Sequence, residues 1–222
     1  MYRSCKTPVF LHMSFPIFLN RDLILNISNF TMELKGSQTE KYLAKSYAVE
    51  STAYTRYIYF AKSARKEGYL FFAKIFEDTA ANEMCHAKTF LEYLQEGVVV
   101  SEPIEVDPGI LSPTADNLLV AEHEEEIEGV QTYQEAAKVA QAEGFAEIAV
   151  RFRIIAGVEN HHKERFALMR GQIVNGTVWK RDLPVKWQCM DCGYIFEGKE
   201  PPRKCPGCGH TFEHFMPLGE LL

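Results

Sequence analysis

Glu83-Met84-Cys85-His86 and Glu159-Asn160-His161-His162 decide the reading of this chain. Each is a Glu-x-x-His quartet. Residues three apart on a helix share a face, so each quartet aims one carboxylate and one imidazole at a single point. A further glutamate stands upstream of each at nearly the same distance: Glu50 precedes Glu83 by 33 residues, and Glu125 precedes Glu159 by 34. Two such quartets facing two more glutamates make a cage for two metal ions inside four helices.

Gly68 and Gly144 read as helix–helix turns, and the spacing to them tests the idea. Glu50 lies 18 residues before Gly68, with Glu83 and His86 15 and 18 after it. Glu125 and Glu128 lie 19 and 16 before Gly144, with Glu159 and His162 15 and 18 after it. Folded as antiparallel hairpins, all seven reach one height within about one 5.4 Å turn. They also fall on apolar stripes. The first helix carries Leu43, Tyr47, Glu50, Tyr54, Tyr57, Ala61 and Ala64 in a 4-3-4-3-4-3 rhythm. Phe72, Phe76, Thr79, Glu83, His86, Phe90 and Tyr93 continue it on the second, and Ile148, Phe152, Ile155, Glu159, His162, Phe166 and Met169 on the fourth. Such stripes are the buried faces of bundle helices. Carboxylates there are costly unless cations neutralise them. Two ferrous ions bring four positive charges and two ferric ions six, against five glutamates. A lone Glu-x-x-His is ordinarily a solvated surface pair, but two at matching heights, each with a partner glutamate, are not.

Prolines are absent from 17 to 102 and from 114 to 183, two stretches long enough for two helices each. Ser37 and Glu40 form a capping-box pattern at the start of the first helix. Ser112 and Pro113 read as N-cap and first helical residue of the third. Residues 97–113, with Pro103 and Pro108, form the long crossover that distinguishes ferritin-like bundles from up-down ones. The expected fold is mainly α: a ferritin-like four-helix bundle over 32–175 and a small metal-binding β/loop domain over 176–222. The 222 residues, 46% hydrophobic, suffice for one core and a small second unit. The net charge of −6 without a Lys/Arg run excludes nucleic acid as a partner. Within Glu124–Glu126, helical phase turns Glu125 inward and leaves its neighbours solvated.

Four of six cysteines form Cys189-x-x-Cys192 and Cys205-x-x-Cys208, with 12 residues between the pairs. Each loop presents two thiolates to one tetrahedral ion. Gly193, Gly207 and Gly209 let backbone amides turn toward sulfur. Zinc and iron both suit four thiolates. Iron is a one-electron carrier and zinc is redox-silent, so a neighbouring redox cage favours iron. Trp187, Tyr194, Phe196, Phe212 and Phe215 supply the module's small core. Cys5 and Cys85 have no partner pattern, and Cys85 reads as a small buried residue.

Taken together, Glu50, Glu83-x-x-His86, Glu125-x-x-Glu128, Glu159-x-x-His162 and the two Cys-x-x-Cys loops make residues 33–222 resemble rubrerythrin, which joins a ferritin-like di-iron bundle to a rubredoxin-like domain. The resemblance implies a peroxidase that reduces hydrogen peroxide to water as oxidative-stress defence in the cytoplasm of an anaerobe. Its electrons would come from NADH through a separate donor, such as rubredoxin or a flavoprotein reductase. Glu83 and Glu159 would bridge two irons, Glu50 would hold one, and Glu125 with His162 the other. On oxidation Glu128 would replace His86. Tyr57 and Tyr133 would hydrogen-bond ligand carboxylates, and Cys189, Cys192, Cys205 and Cys208 would hold a third iron. A head-to-tail homodimer is implied as well.

Residues 1–31 precede the family's usual start, and Met32 reads as an alternative initiator. The apolar stretch 9–19 contains His12 and Pro16, and is too short to span a bilayer. Two other functions fit part of the pattern. An iron-oxidising, iron-handling protein would not need the cysteine module. A zinc-ribbon binding module on a helical scaffold would leave the buried glutamates without a role.

Overall fold

The computed structural model describes residues 33–94, 97–105, 111 and 113–219. The expectations for residues 1–31, Met32, Cys5, Pro108 and Ser112 lie outside them. Helix α1 (Gln38–Lys66) and α2 (Leu70–Tyr93) form the first hairpin. The third rod is continuous but not uniform: α3 (Thr114–Glu124), a π-helical segment (Glu125–Gln131) and α4 (Thr132–Ala142). Helix α5 (Ala146–Val174) completes the second hairpin. Strands β1 (Val185–Cys189), β2 (Ile195–Gly198) and β3 (Phe215–Pro217) follow as an antiparallel sheet in the order β2-β1-β3, with Trp187 opposite Phe196 and Pro217. The fold is therefore mainly helical, with a small C-terminal strand module. None of the described helices is long and apolar enough to cross a membrane.

The two turns are built alike. Gly68 and Gly144 adopt φ of +87° and +88°, which glycine reaches without a Cβ penalty. Tyr69 N–H then returns to Ala64 O and Phe145 N–H to Ala140 O, at 2.9 and 2.8 Å. The glutamate before each glycine caps the opposite hairpin. Glu67 accepts from Thr114 N–H at 2.9 and 3.1 Å. Glu143 accepts from the amides of Gln38 and Thr39 and from the Thr39 hydroxyl, at 3.1, 2.8 and 2.6 Å. A carboxylate there meets free helix amides and the positive end of the helix dipole.

Local capping departs from the expected pattern in two places. Ser37 Oγ accepts from Glu40 N–H at 3.0 Å, but Glu40 reaches back to Gly36 N–H, because Ser37 N–H is committed to Leu34 O. Pro113 occupies the cap position of α3, not its first helical residue. Its ring offers no side-chain acceptor to the free helix amides, and Glu67 supplies one.

The apolar core falls into two clusters. Tyr57, Phe60, Phe72, Phe76 and Phe166 pack toward the Gly68 end, and Leu43, Phe90, Tyr133, Phe152 and Ile155 toward the Gly144 end. Every residue of the α5 stripe is buried, but the α1 stripe is not: Tyr47 is 38% exposed and Ser46 takes the interior.

The cysteine module closes on buried Trp187, Cys189, Cys205 and Phe215. Phe196 is half-buried, and Tyr194, expected in this core, is exposed. Its seat is the Gly68 end of the bundle. Trp179 stacks on Tyr69 at 5.7 Å and meets the edge of Phe212 at 5.0 Å, and Val178 is buried in the bundle core.

Candidate metal centres

Six predicted donors converge in two overlapping sets. Glu50, Glu83, His86 and Glu159 form one, and Glu83, Glu125, Glu159 and His162 the other, with each set's ligand atoms within 4.8 Å of one another. Glu83 and Glu159 belong to both. Glu83 turns Oε2 to His86 Nδ1 at 3.0 Å and Oε1 to His162 Nδ1 at 3.1 Å. Glu159 turns Oε1 to His86 Nδ1 and Oε2 to His162 Nδ1, each at 2.9 Å. Glu50 completes the His86 side at 3.8 Å and Glu125 the His162 side at 3.7 Å.

The donor chemistry fits two cations. Glu83 Oε1, both Glu159 oxygens and His162 Nδ1 are buried without a hydrogen-bond partner. Buried polar atoms are ordinarily paired. Here they stand close to one another without bonding geometry, as lone pairs aimed at a common third point do. Carboxylate oxygen and imidazole nitrogen together suit iron, zinc or manganese.

Burial and the close approach of carboxylates and imidazoles shift titration within the cage in opposite senses. Burial, reinforced by Glu159, lifts Glu50 well above the ordinary carboxylate range, and burial reinforced by Glu83 does the same to Glu125. Burial also pushes Glu83 upward, but the imidazoles of His162 and His86 outweigh it and hold its pKa at about 2. Burial lowers both histidines, yet Glu159 and its companion carboxylates override it, raising His86 strongly and His162 to about 8. The cage thus demands positive charge.

The terminal carboxylates are held from outside. Tyr57 on α1 donates to Glu125 Oε1 at 2.6 Å, and Tyr133 on α4 donates to Glu50 Oε1 at 2.5 Å. Both rings are buried, and both hydroxyls titrate well above the usual tyrosine range because of burial and the adjoining carboxylates. Tyr54, in contrast, is a half-buried packing residue beside the core.

Glu128 is buried but belongs to neither donor set; its Oε2 stands 3.1 Å from Lys45 Nζ. It lines, with Glu50, Glu83, Glu125 and Glu159, a cavity of about 30 Å³ that Tyr57, Tyr133, Arg56 and Ile104 close. That is room for roughly two water-sized molecules.

Several residues that matter here carry no signal in the sequence pattern. The π-helical segment adds a residue to its turn and carries Glu125, Glu128 and Gly129 on one buried side. A Cβ on Gly129 would stand 2.6 Å from Cβ and Cγ of Glu159, so the helices approach at a glycine. Glu124 and Glu126 are not merely solvated. Arg56 of α1 pairs with Glu124 at 2.7 Å and Lys163 of α5 with Glu126 at 2.7 Å, so each ties the third rod to a neighbouring helix. Cys85 is exposed, on the outer side of α2 from Glu83.

The four module cysteines also converge within 4.8 Å, with Cys189 Sγ–Cys208 Sγ at 3.6 Å and Cys192 Sγ–Cys205 Sγ at 3.5 Å. All four are free thiols, so the spacing is that of a tetrahedral site and not of a disulfide. Amides of Tyr194, Gly207, Cys208 and His210 face the sulfurs. A Cβ on Gly207 would press within 3.2 Å of Cys192 Sγ.

Comparison with known proteins agrees with this geometry. The rubrerythrin family model matches residues 41–170, and the model of the rubrerythrin rubredoxin-like domain matches residues 187–216. Rubrerythrin-1 of Clostridium acetobutylicum is 40% identical over 84% of this chain and 97% of its own length. The rubrerythrin of Nitratidesulfovibrio vulgaris is 39% identical over the same shares. A solved structure of nigerythrin in a mixed-valence state aligns with a TM-score of 0.53 at 27% identity, over 94% of this chain and all of that one. With both donor cages and both family models falling on the same residues, the chain belongs to the rubrerythrin family.

Proposed function

We propose that this protein reduces hydrogen peroxide to water at a di-iron centre in the bundle, using electrons relayed through a third iron on the cysteine module. The observation that carries the reading is the pair of shared carboxylates, Glu83 and Glu159, each turning one oxygen to either imidazole. In this reading the bundle, 32–175, is the catalytic domain and 176–222 the relay.

Glu83 and Glu159 would bridge the irons, with Glu50 and His86 on one side and Glu125 and His162 on the other. Iron bound there would supply two electrons, one from each ion, and two protons complete the conversion of one peroxide to two waters. Tyr57 and Tyr133 fix the orientation of Glu125 and Glu50, so the carboxylates present the same oxygens through repeated turnover. The small cavity excludes bulky substrates and suits a two-oxygen molecule. Glu128, close by but off the donor sets, is the carboxylate that would replace His86 when the irons become ferric, since the harder ion prefers oxygen.

The relay is read as working between chains. Helix α5 runs on from His162 to Val174, roughly 18 Å at 1.5 Å per residue, before the module begins. A head-to-tail homodimer would bring one chain's module beside the other's cage. The electrons would enter from a rubredoxin or flavoprotein donor in the cytoplasm.

Anaerobic single-turnover mixing tests the reading. The fully reduced, iron-reconstituted protein should consume one peroxide per di-iron cage in the first phase, and the third ferrous ion, relaying its electron, should account for half a peroxide equivalent more. Oxidation by dioxygen that outpaces oxidation by peroxide would point to iron handling instead.

A further inference from the structure

We propose that Lys45 is a positioning residue that parks Glu128 away from the metal cage and so sets the balance between His86 and Glu128 as ligands. The inference rests on the reading of Glu128 as the alternative ligand and names the residue that controls it. Two observations carry it. Glu128 lines the same cavity as Glu50, Glu83 and Glu159, yet it is absent from both donor sets. Its carboxylate instead meets the Lys45 ammonium at 3.1 Å, with the two side chains only 11% and 14% exposed. A charge pair so sheltered is screened far less than a surface pair, so breaking it has a real cost.

The two arrangements compete for Glu128 Oε2. With Glu128 on Lys45, His86 keeps its contacts to Glu50, Glu83 and Glu159. For both Glu128 oxygens to turn to a metal, Oε2 must leave the ammonium. Lys45 has somewhere to go: it also lines an outer groove with two further carboxylates, Glu102 beside Lys41 and Glu135 beside Lys138. A single oxygen-for-nitrogen exchange at the metal is thereby coupled to a lysine moving between carboxylates. No proton needs to cross the site.

Removing the ammonium leaves Glu128 buried, unpaired and beside two cations. It should then bind the metal in the ferrous state as well, and a carboxylate favours ferric iron over ferrous. The test is a potentiometric titration of the di-iron centre in the holoprotein, followed through the mixed-valence signal. Lys45→Met should shift the ferric-to-ferrous preference about tenfold toward ferric, a fall of about 59 mV per electron. Lys45→Gln should do the same, and Lys45→Arg should keep the wild-type potential. Iron content and helical circular dichroism establish that each variant is folded and loaded. Glu128→Ala separates the two layers of the argument. If Lys45 acts through Glu128, the Lys45→Met/Glu128→Ala double variant titrates like Glu128→Ala alone. A shift with Glu128→Ala but none with Lys45→Met or Lys45→Gln overturns the role of Lys45 and leaves the ligand exchange standing. A wild-type potential in Glu128→Ala overturns the exchange itself, and this proposal with it.

Discussion

Tyr57 and Tyr133 are related by an exchange between helices: Tyr57 on α1 bonds Glu125 of the third rod, and Tyr133 on the third rod bonds Glu50 of α1. Each hydroxyl crosses the bundle interior to orient a carboxylate on the opposite hairpin. The cage therefore depends on both hairpins docking in register. Tyr133→Phe should fold, since the ring remains, but leaves Glu50 without its buried donor. Outer partners of this kind typically change metal affinity 10- to 100-fold. We expect at least a tenfold loss for Tyr133→Phe and for Tyr57→Phe, read by competition with a metal indicator.

Metal content should separate the two centres. Elemental analysis after anaerobic reconstitution should find three irons per chain, two in the cage and one on the thiolates. Glu83→Ala removes a carboxylate common to both donor sets. It should leave one iron, still coloured by thiolate charge transfer. A single iron in the unaltered protein, unchanged by Glu83→Ala, would refute a di-iron cage.

Glu143 offers a stability test far from the metals. Burial pushes its pKa up, but the Thr39 hydroxyl and the amides of Thr39 and Gln38 outweigh this and hold it below the ordinary carboxylate value. A group depressed in the folded state stabilises above its unfolded pKa, and the contribution disappears as pH falls through the folded value. Glu143→Ala should cost about 1 kcal/mol at pH 7, the usual worth of a helix cap. Chemical denaturation at pH 7 and below pH 4 should show the gap between variant and parent closing in acid.

Transfer between chains predicts complementation. A Cys205→Ser variant retains its cage but not its relay, and Glu83→Ala the reverse. Each alone should be inactive as a peroxidase. Refolded together into mixed dimers, they should recover a fraction of the parent rate. Mixed dimers that form and stay inactive would rule out the proposed relay between subunits.

Much of this protein was determined by sequence alone. The quartets Glu83–His86 and Glu159–His162, their distances from Gly68 and Gly144, and the thiolate loops follow from helical period and turn chemistry, which are local. So the helix count, the converging height of the donors and the module were legible in one dimension. What the tertiary structure decided are interactions between segments far apart in the chain. Lys45 meets Glu128 and Glu143 caps α1 only because the two hairpins dock antiparallel. The π-helical turn at Glu125–Gln131 is similarly hidden: no local pattern marks it, and its buried side, Glu125, Glu128 and Gly129, is defined by what it packs against, with Gly129 against Glu159. The exposure of Tyr47 and Cys85 has the same origin, since a periodic stripe says which residues share a face and packing alone decides how much of that face is covered.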